Sequence, residues 1–102
     1  MTFNDYDRKS VELSFYQAGD LTYTTLGLCG EAGEFCEKVK KMRRDRVYDP
    51  RLMALELGDT LWYLAACARE LGFSLEDIAQ MNIQKLESRN ARGTQRGSGD
   101  DR

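Results

Sequence analysis

Leu26-Gly-Leu-Cys-Gly-Glu31-Ala-Gly-Glu34-Phe-Cys-Glu-Lys38-Val-Lys-Lys41-Met42 repeats its apolar residues, Leu28, Ala32, Phe35, Val39 and Met42, at steps of three and four. This is the α-helical period, and it predicts one long helix over about 23–44. At about 100° per residue the same winding gathers Glu31, Glu34, Lys38 and Lys41 on the flank of the stripe. A second stretch, Leu55-Glu56-Leu57-Gly58-Asp59-Thr60-Leu61-Trp62-Tyr63-Leu64, extends the pattern. Its main stripe is Leu57, Leu61, Leu64 and Ala68, and its other side carries Glu56, Asp59, Tyr63, Cys67 and Glu70. Asp49-Pro50, a cap followed by a proline suited to the first turn, opens this helix, which is expected to run to about residue 71. The two together predict a helical hairpin.

Outward from the hairpin the chain stays helical. A first helix is expected over about 6–18, opened by Asn4 or Asp5 and closed by Gly19-Asp20. A fourth starts at Ser74, with Asp77 three residues on in a capping-box arrangement and Ile78, Met81 and Leu86 facing inward. Residues 93–102 are polar and glycine-rich, the composition of a flexible tail. The expectation is an all-α, four-helix bundle over 1–92 with a tail over 93–102.

At 102 residues there is room for one domain, and a formal net charge of −2 disfavours nucleic-acid and membrane-surface partners. No stretch has the roughly 18 consecutive apolar residues of a membrane span, and the N-terminus lacks a basic-then-apolar signal segment; the reading is cytoplasmic. Three cysteines without CxxC spacing, in a chain with no histidine, do not suit zinc. Cys29, Cys36 and Cys67 read instead as buried reduced thiols. Helix three is apolar on most sides, and so small a chain cannot cover it alone, so a homo-oligomer is expected.

Against this background the acids stand out. A lone E-x-x-E marks a solvated helix face more often than a site. Here, however, Glu31, Glu34, Glu56 and Asp59 lie inside the most apolar stretches, where ionised carboxylates are costly unless a cation compensates them. Across a helical hairpin the four can meet. Oxygen-only donors suit Mg²⁺ or Mn²⁺. Gly30, Gly33 and Gly58 interrupt the helices beside the acids at about 1 kcal/mol each relative to alanine, and close approach is the expected return.

At these residues the chain resembles the MazG-like, all-α nucleoside triphosphate pyrophosphohydrolases, whose E-x-x-E, gap, E-x-x-D signature is matched by Glu31, Glu34, Glu56 and Asp59. The similarity continues through Asn82-x-x-Lys85-Leu86-x-x-Arg89 and into Gly97-Ser-Gly-Asp-Asp-Arg102. The resemblance implies Mg²⁺-dependent hydrolysis of a nucleoside triphosphate, ordinary, deoxy or non-standard, to a monophosphate and pyrophosphate, a housecleaning of the nucleotide pool. It implies that Glu31, Glu34, Glu56 and Asp59 hold the metal, with Glu34 the first choice for orienting or deprotonating the water. Lys85 and Arg89 would grip the phosphates, with Lys38, Asn82 and Tyr63 as further substrate contacts. The family forms dimers and dimer-paired tetramers; a homotetramer is expected here, with a homodimer as the alternative.

The first twenty residues depart from the family pattern where base-recognising groups often lie; Phe15, Tyr16 and Gln17 are the candidates there. Trp62 is expected in core or subunit packing. Two other readings compete: a nucleotide-binding or regulatory helical module without turnover, and an oligomerisation bundle whose acids are solvated.

Overall fold

The computed structural model describes residues 1–102 and contains four helices: α1 (Phe3–Glu12), α2 (Leu21–Asp45), α3 (Pro50–Glu70) and α4 (Leu75–Arg92). The architecture is all-α, and the packing of α2 against α3 dominates it. Asp20 caps α2 by accepting from the Tyr23 N–H at 2.9 Å. Arg46, in the left-handed region at φ 55°, ends it. Asp49 then accepts from the N–H groups of Arg51 and Leu52, and Pro50 occupies the first turn of α3. Ser74 and Asp77 form the reciprocal capping box that opens α4.

The first helix departs from expectation at both ends. It starts at Phe3 because Thr2 and Asp5 form a capping box of their own, at 3.1 and 3.0 Å. It stops at Glu12: the Leu13 and Ser14 N–H groups still bond back to Lys9 and Val11, and beyond them the hydrogen-bond partners become tertiary. The Tyr16 hydroxyl donates to Glu70, and so does the Gly19 N–H. Asp7 joins α1 to the start of α4 by accepting from the Leu75 N–H at 2.7 Å, with Arg69 of α3 at 3.9 Å.

Only seven of 102 residues are buried, far fewer than a self-sufficient domain of this size encloses. The apolar part of that core is Ala65, Ala66, Ala68 and Leu75. The expected α3 stripe is therefore displaced: Ala68 is buried, but Leu57 is 51% exposed, and Ala65 and Ala66 replace it inside. Met81 and Leu86 of α4, expected inward, are exposed as well. Cys29 and Cys36 share a face of α2, as a spacing of seven requires. That face points outward, so the expectation of buried thiols fails; Cys67 is half-buried, and all three are free.

Residues 93–102 return to α4. Gly93 turns the chain at φ 69°. Arg102 then donates to the carbonyl oxygens of Thr94, Gln95 and Gly99. The segment that composition reads as a flexible tail is thus hydrogen-bonded along much of its length.

Candidate active site

Glu31 projects from α2, and Glu56 and Asp59 from one side of α3. One carboxylate oxygen of each falls within 4.8 Å of the others. The i, i+3 step on α3 and the hairpin together produce this convergence. Glu34, one turn beyond Glu31, is exposed and lies outside that group of three. Its charge still reaches Glu31, whose carboxyl is held above its ordinary value of 4.5, first by desolvation and then by Asp59, Glu34 and Glu56. Lys38, one turn along α2, brings its Nζ to 3.9 Å from Glu56 Oε1. It is the one cation paired with the cluster.

Beside the carboxylates opens a cleft of about 290 Å³ lined by Leu13, Phe15, Glu31, Asp59, Trp62 and Tyr63. Phe15 and Trp62 stack with ring centroids 5.1 Å apart and planes 5° from parallel. Tyr63 meets Trp62 edge-on at 5.0 Å. Desolvation, the neighbouring Tyr23 hydroxyl and the charges of Glu31 and Asp59 all push the Tyr63 hydroxyl above its ordinary value. Trp62, expected in core or subunit packing, is half-buried in this wall. Of the three residues considered for base recognition, Phe15 lines the cleft and Tyr16 lies behind it, edge-on to Trp62 at 6.1 Å; Gln17 is exposed.

Close backbone approach occurs at a glycine not singled out. A side chain on Gly27 would collide with the Tyr63 ring, whereas Gly30, Gly33 and Gly58 have open space where a Cβ would stand. Helical periodicity locates glycines but does not say which of them faces a ring from the other helix.

The α4 residues are elsewhere. Helix α4 touches α3 but not α2, and within one chain neither Lys85 nor Arg89 pairs with Glu31, Glu56 or Asp59. Asn82 is exposed. Lys85 and Arg89 share Asp100, each 3.4 Å from its Oδ1, and Arg89 also donates to the Asp100 carbonyl at 2.8 Å. Under this cover Arg89 is only 5% exposed, and its Nε has no partner. Lys85 and the attraction of Arg89 hold the Asp100 carboxyl below the usual range.

A four-helix chain whose central hairpin presents clustered carboxylates beside an aromatic cleft offers the oxygen donors that a hard dication takes. Residues 20–93 match the model of the MazG nucleotide pyrophosphohydrolase domain, and the chain belongs to that family. It is 46% identical over 87 residues to the gene 37 protein of Mycobacterium phage L5, covering 80% of this chain and 76% of that one. No solved structure matches it. No helix is long and apolar enough to cross a membrane.

Proposed function

We propose that the chain hydrolyses nucleoside triphosphates, ordinary, deoxy or non-standard, to a monophosphate and pyrophosphate with the help of Mg²⁺ or Mn²⁺. The observation that carries the reading is the convergence of Glu31, Glu56 and Asp59 beside a cleft walled by Phe15 and Trp62. The donor set fits a hard dication: all oxygen, from three carboxylates, with Glu31 held above its ordinary value first by desolvation and then by the neighbouring acids. Such an ion would supply charge neutralisation on the phosphate oxygens.

In this reading Glu31, Glu56 and Asp59 hold the ion, with Glu34 as a further ligand or as the group that orients the attacking water. The exposed position of Glu34, one turn from Glu31 and outside the group of three, supports the second role. Lys38 supplies positive charge beside Glu56, and Tyr63 and the Phe15–Trp62 wall accept the nucleoside. Lys85 and Arg89 bind the phosphates, with Asn82 on the same helix. Within one chain both cations pair with Asp100 and not with the cluster, so in this reading a second copy of the chain presents α4. A homo-oligomer, a dimer or a tetramer of paired dimers, agrees with the many exposed leucines, Leu26 (67%), Leu55 (52%) and Leu57 (51%) among them. Three unpaired thiols go with a reducing, cytoplasmic setting.

The test is product analysis with a panel of nucleoside triphosphates, with and without Mg²⁺. Monophosphate and pyrophosphate, formed only with metal and lost in Asp59→Ala and Glu34→Ala proteins of unchanged helix content, are expected. Metal-dependent nucleotide binding without turnover would favour a regulatory module, and orthophosphate released in one step would point to another reaction.

A further inference from the structure

The carboxylate of Glu70 lies on the acidic side of α3 but takes no part in the cluster. It stands eleven residues beyond Asp59, about 16 Å along the helix axis. That is too far to share an ion with Glu31, Glu56 and Asp59. It is also the last residue of α3, where the negative end of the helix dipole disfavours an acid. Local helix stability therefore gives no reason for it, and its partners lie in the α1–α2 connection. The Gly19 N–H donates to both carboxylate oxygens, at 3.1 and 3.0 Å, and the Tyr16 hydroxyl donates to Oε1 at 3.1 Å. Gly19 sits at φ +93°, a conformation that favours glycine, so the backbone there is shaped to deliver its N–H to the acid.

This clamp sits next to the aromatic wall. Tyr16 is adjacent in sequence to Phe15, stacks on Tyr23 at 5.7 Å and meets Trp62 edge-on. Phe15 lies flat against Trp62 on the cleft that Glu31 and Asp59 also line. No backbone hydrogen bond outside the helices is made by residues 15–19, so the Glu70 carboxylate supplies the hydrogen bonds that tie that segment to α3, beside the ring contacts of Phe15 and Tyr16 with Trp62.

We propose that Glu70 is a positioning residue for substrate recognition. By fixing the connection at Tyr16 and Gly19 it holds Phe15 against Trp62 and so builds the wall that receives a planar nucleobase. The inference rests on the nucleotide reading of the cleft. It assigns Glu70 a role in binding the base and none in the chemistry at phosphorus. Loss of the clamp therefore weakens the nucleoside and spares the phosphate side.

Trp62 is the only tryptophan, so its fluorescence reports the wall directly. The experiment compares wild type with Glu70→Ala, Glu70→Gln and Tyr16→Phe. Its readouts are acrylamide quenching of the free protein, steady-state kinetics with the best nucleoside triphosphate, and inhibition by inorganic tripolyphosphate, which has no base. For Glu70→Ala the expected result is more accessible Trp62, a KM raised about tenfold, kcat within about twofold, and an unchanged tripolyphosphate inhibition constant. Tyr16→Phe, which removes one hydroxyl and keeps the ring, should shift KM in the same direction by a smaller factor. Glu70→Gln, which keeps one acceptor oxygen, should fall between alanine and wild type. Wild-type KM and quenching in both Glu70→Ala and Tyr16→Phe overturn the proposal. So does an equal loss of nucleotide and tripolyphosphate binding, which would make Glu70 a general stability element. If the wild-type protein neither turns over nor binds any nucleotide, the reading of the cleft fails first, and the proposal falls with it.

Discussion

The Tyr63 ring on α3 fills the space that a side chain on Gly27 of α2 would need. This contact brings the two helices together a turn from Glu31, and Tyr63 is also part of the cleft wall. Its consequence can be measured. Gly27→Ala gains about 1 kcal/mol of helix propensity but forces the ring aside, and overpacking of this kind costs about 1–3 kcal/mol. A net loss of thermal stability is expected, with a raised KM as Tyr63 moves. The double variant Gly27→Ala/Tyr63→Ala should remove the clash, and its stability should exceed that of Tyr63→Ala by the propensity gain. Additive losses in the double variant would show that the contact is not the constraint.

Glu31 links the metal to pH. Its folded carboxyl titrates above the ordinary 4.5, so the fold binds the proton more tightly than the unfolded chain does. Its contribution is fully present below the unfolded value and is lost as pH rises through the raised one. In excess chelator the contribution of Glu31 should therefore lower the melting temperature as the pH rises from 4.5 through its raised value. Millimolar Mg²⁺ or Mn²⁺ should raise it, and raise it most at the higher pH, because an ion among three ionised carboxylates replaces repulsion with attraction. Glu31→Gln should flatten the chelator curve. A metal-independent melting temperature across this range would argue that the carboxylates are simply solvated.

Helix period and cap chemistry made three of the four helices legible before any coordinates. Asp49-Pro50 and Ser74-x-x-Asp77 define their helix starts through bonds three residues long. The end of the first helix is not legible in the sequence because the connection beyond it is held by Glu70, 54 residues from Tyr16, and no local pattern carries that information. The pairing of Glu56 with Asp59 is legible because i, i+3 spacing on a helix is itself a geometric statement, yet Glu34, at the same spacing from Glu31, stands outside the group of three. The aromatic wall is not legible, since Phe15 lies in a loop and its pairing with Trp62 exists only after α3 and the connection have met. Outward-facing Cys29 and exposed Leu57 have a related cause: amphipathic patterns mark faces to be covered without saying whether the same chain covers them.

The pairing of Lys85 and Arg89 with Asp100 and not with the clustered carboxylates leads to a subunit-mixing prediction. If Lys85 serves carboxylates held on another copy, Lys85→Ala should cost about tenfold in catalytic efficiency, and Asp59→Ala should be inactive. An equimolar mixture, unfolded and refolded together, should then recover about a quarter of wild-type activity, because half the dimers are mixed and each contains one complete site. Light scattering should give a dimer or tetramer at micromolar concentration. A monomer, or a mixture no more active than the average of its components, would place the phosphate clamp on the cluster's own side, with Lys38 and Lys41 next in line.

Asp100 offers the last test, because its charge faces both Lys85 and Arg89 while its backbone carbonyl holds Arg89 alone. The carboxylate lies 3.4 Å from both Lys85 and Arg89 and is 86% exposed, whereas the carbonyl accepts from Arg89 at 2.8 Å and helps to cover it. If Lys85 and Arg89 bind phosphate, the carboxylate competes with the substrate while the carbonyl holds Arg89 in place. Asp100→Asn should then keep the carbonyl contact, remove the competing charge and lower KM by a few-fold, an effect of the size exposed ion pairs produce and one that fades with added salt. Truncation after Gly93 removes both contacts together with the Arg102 bonds that shape the segment, so it should raise KM, with a smaller effect on kcat. Opposite signs for the two variants separate competition from support. An equal rise in KM for both would instead make the Asp100 charge part of the binding surface, and wild-type kinetics in both would remove α4 and its tail from substrate binding altogether.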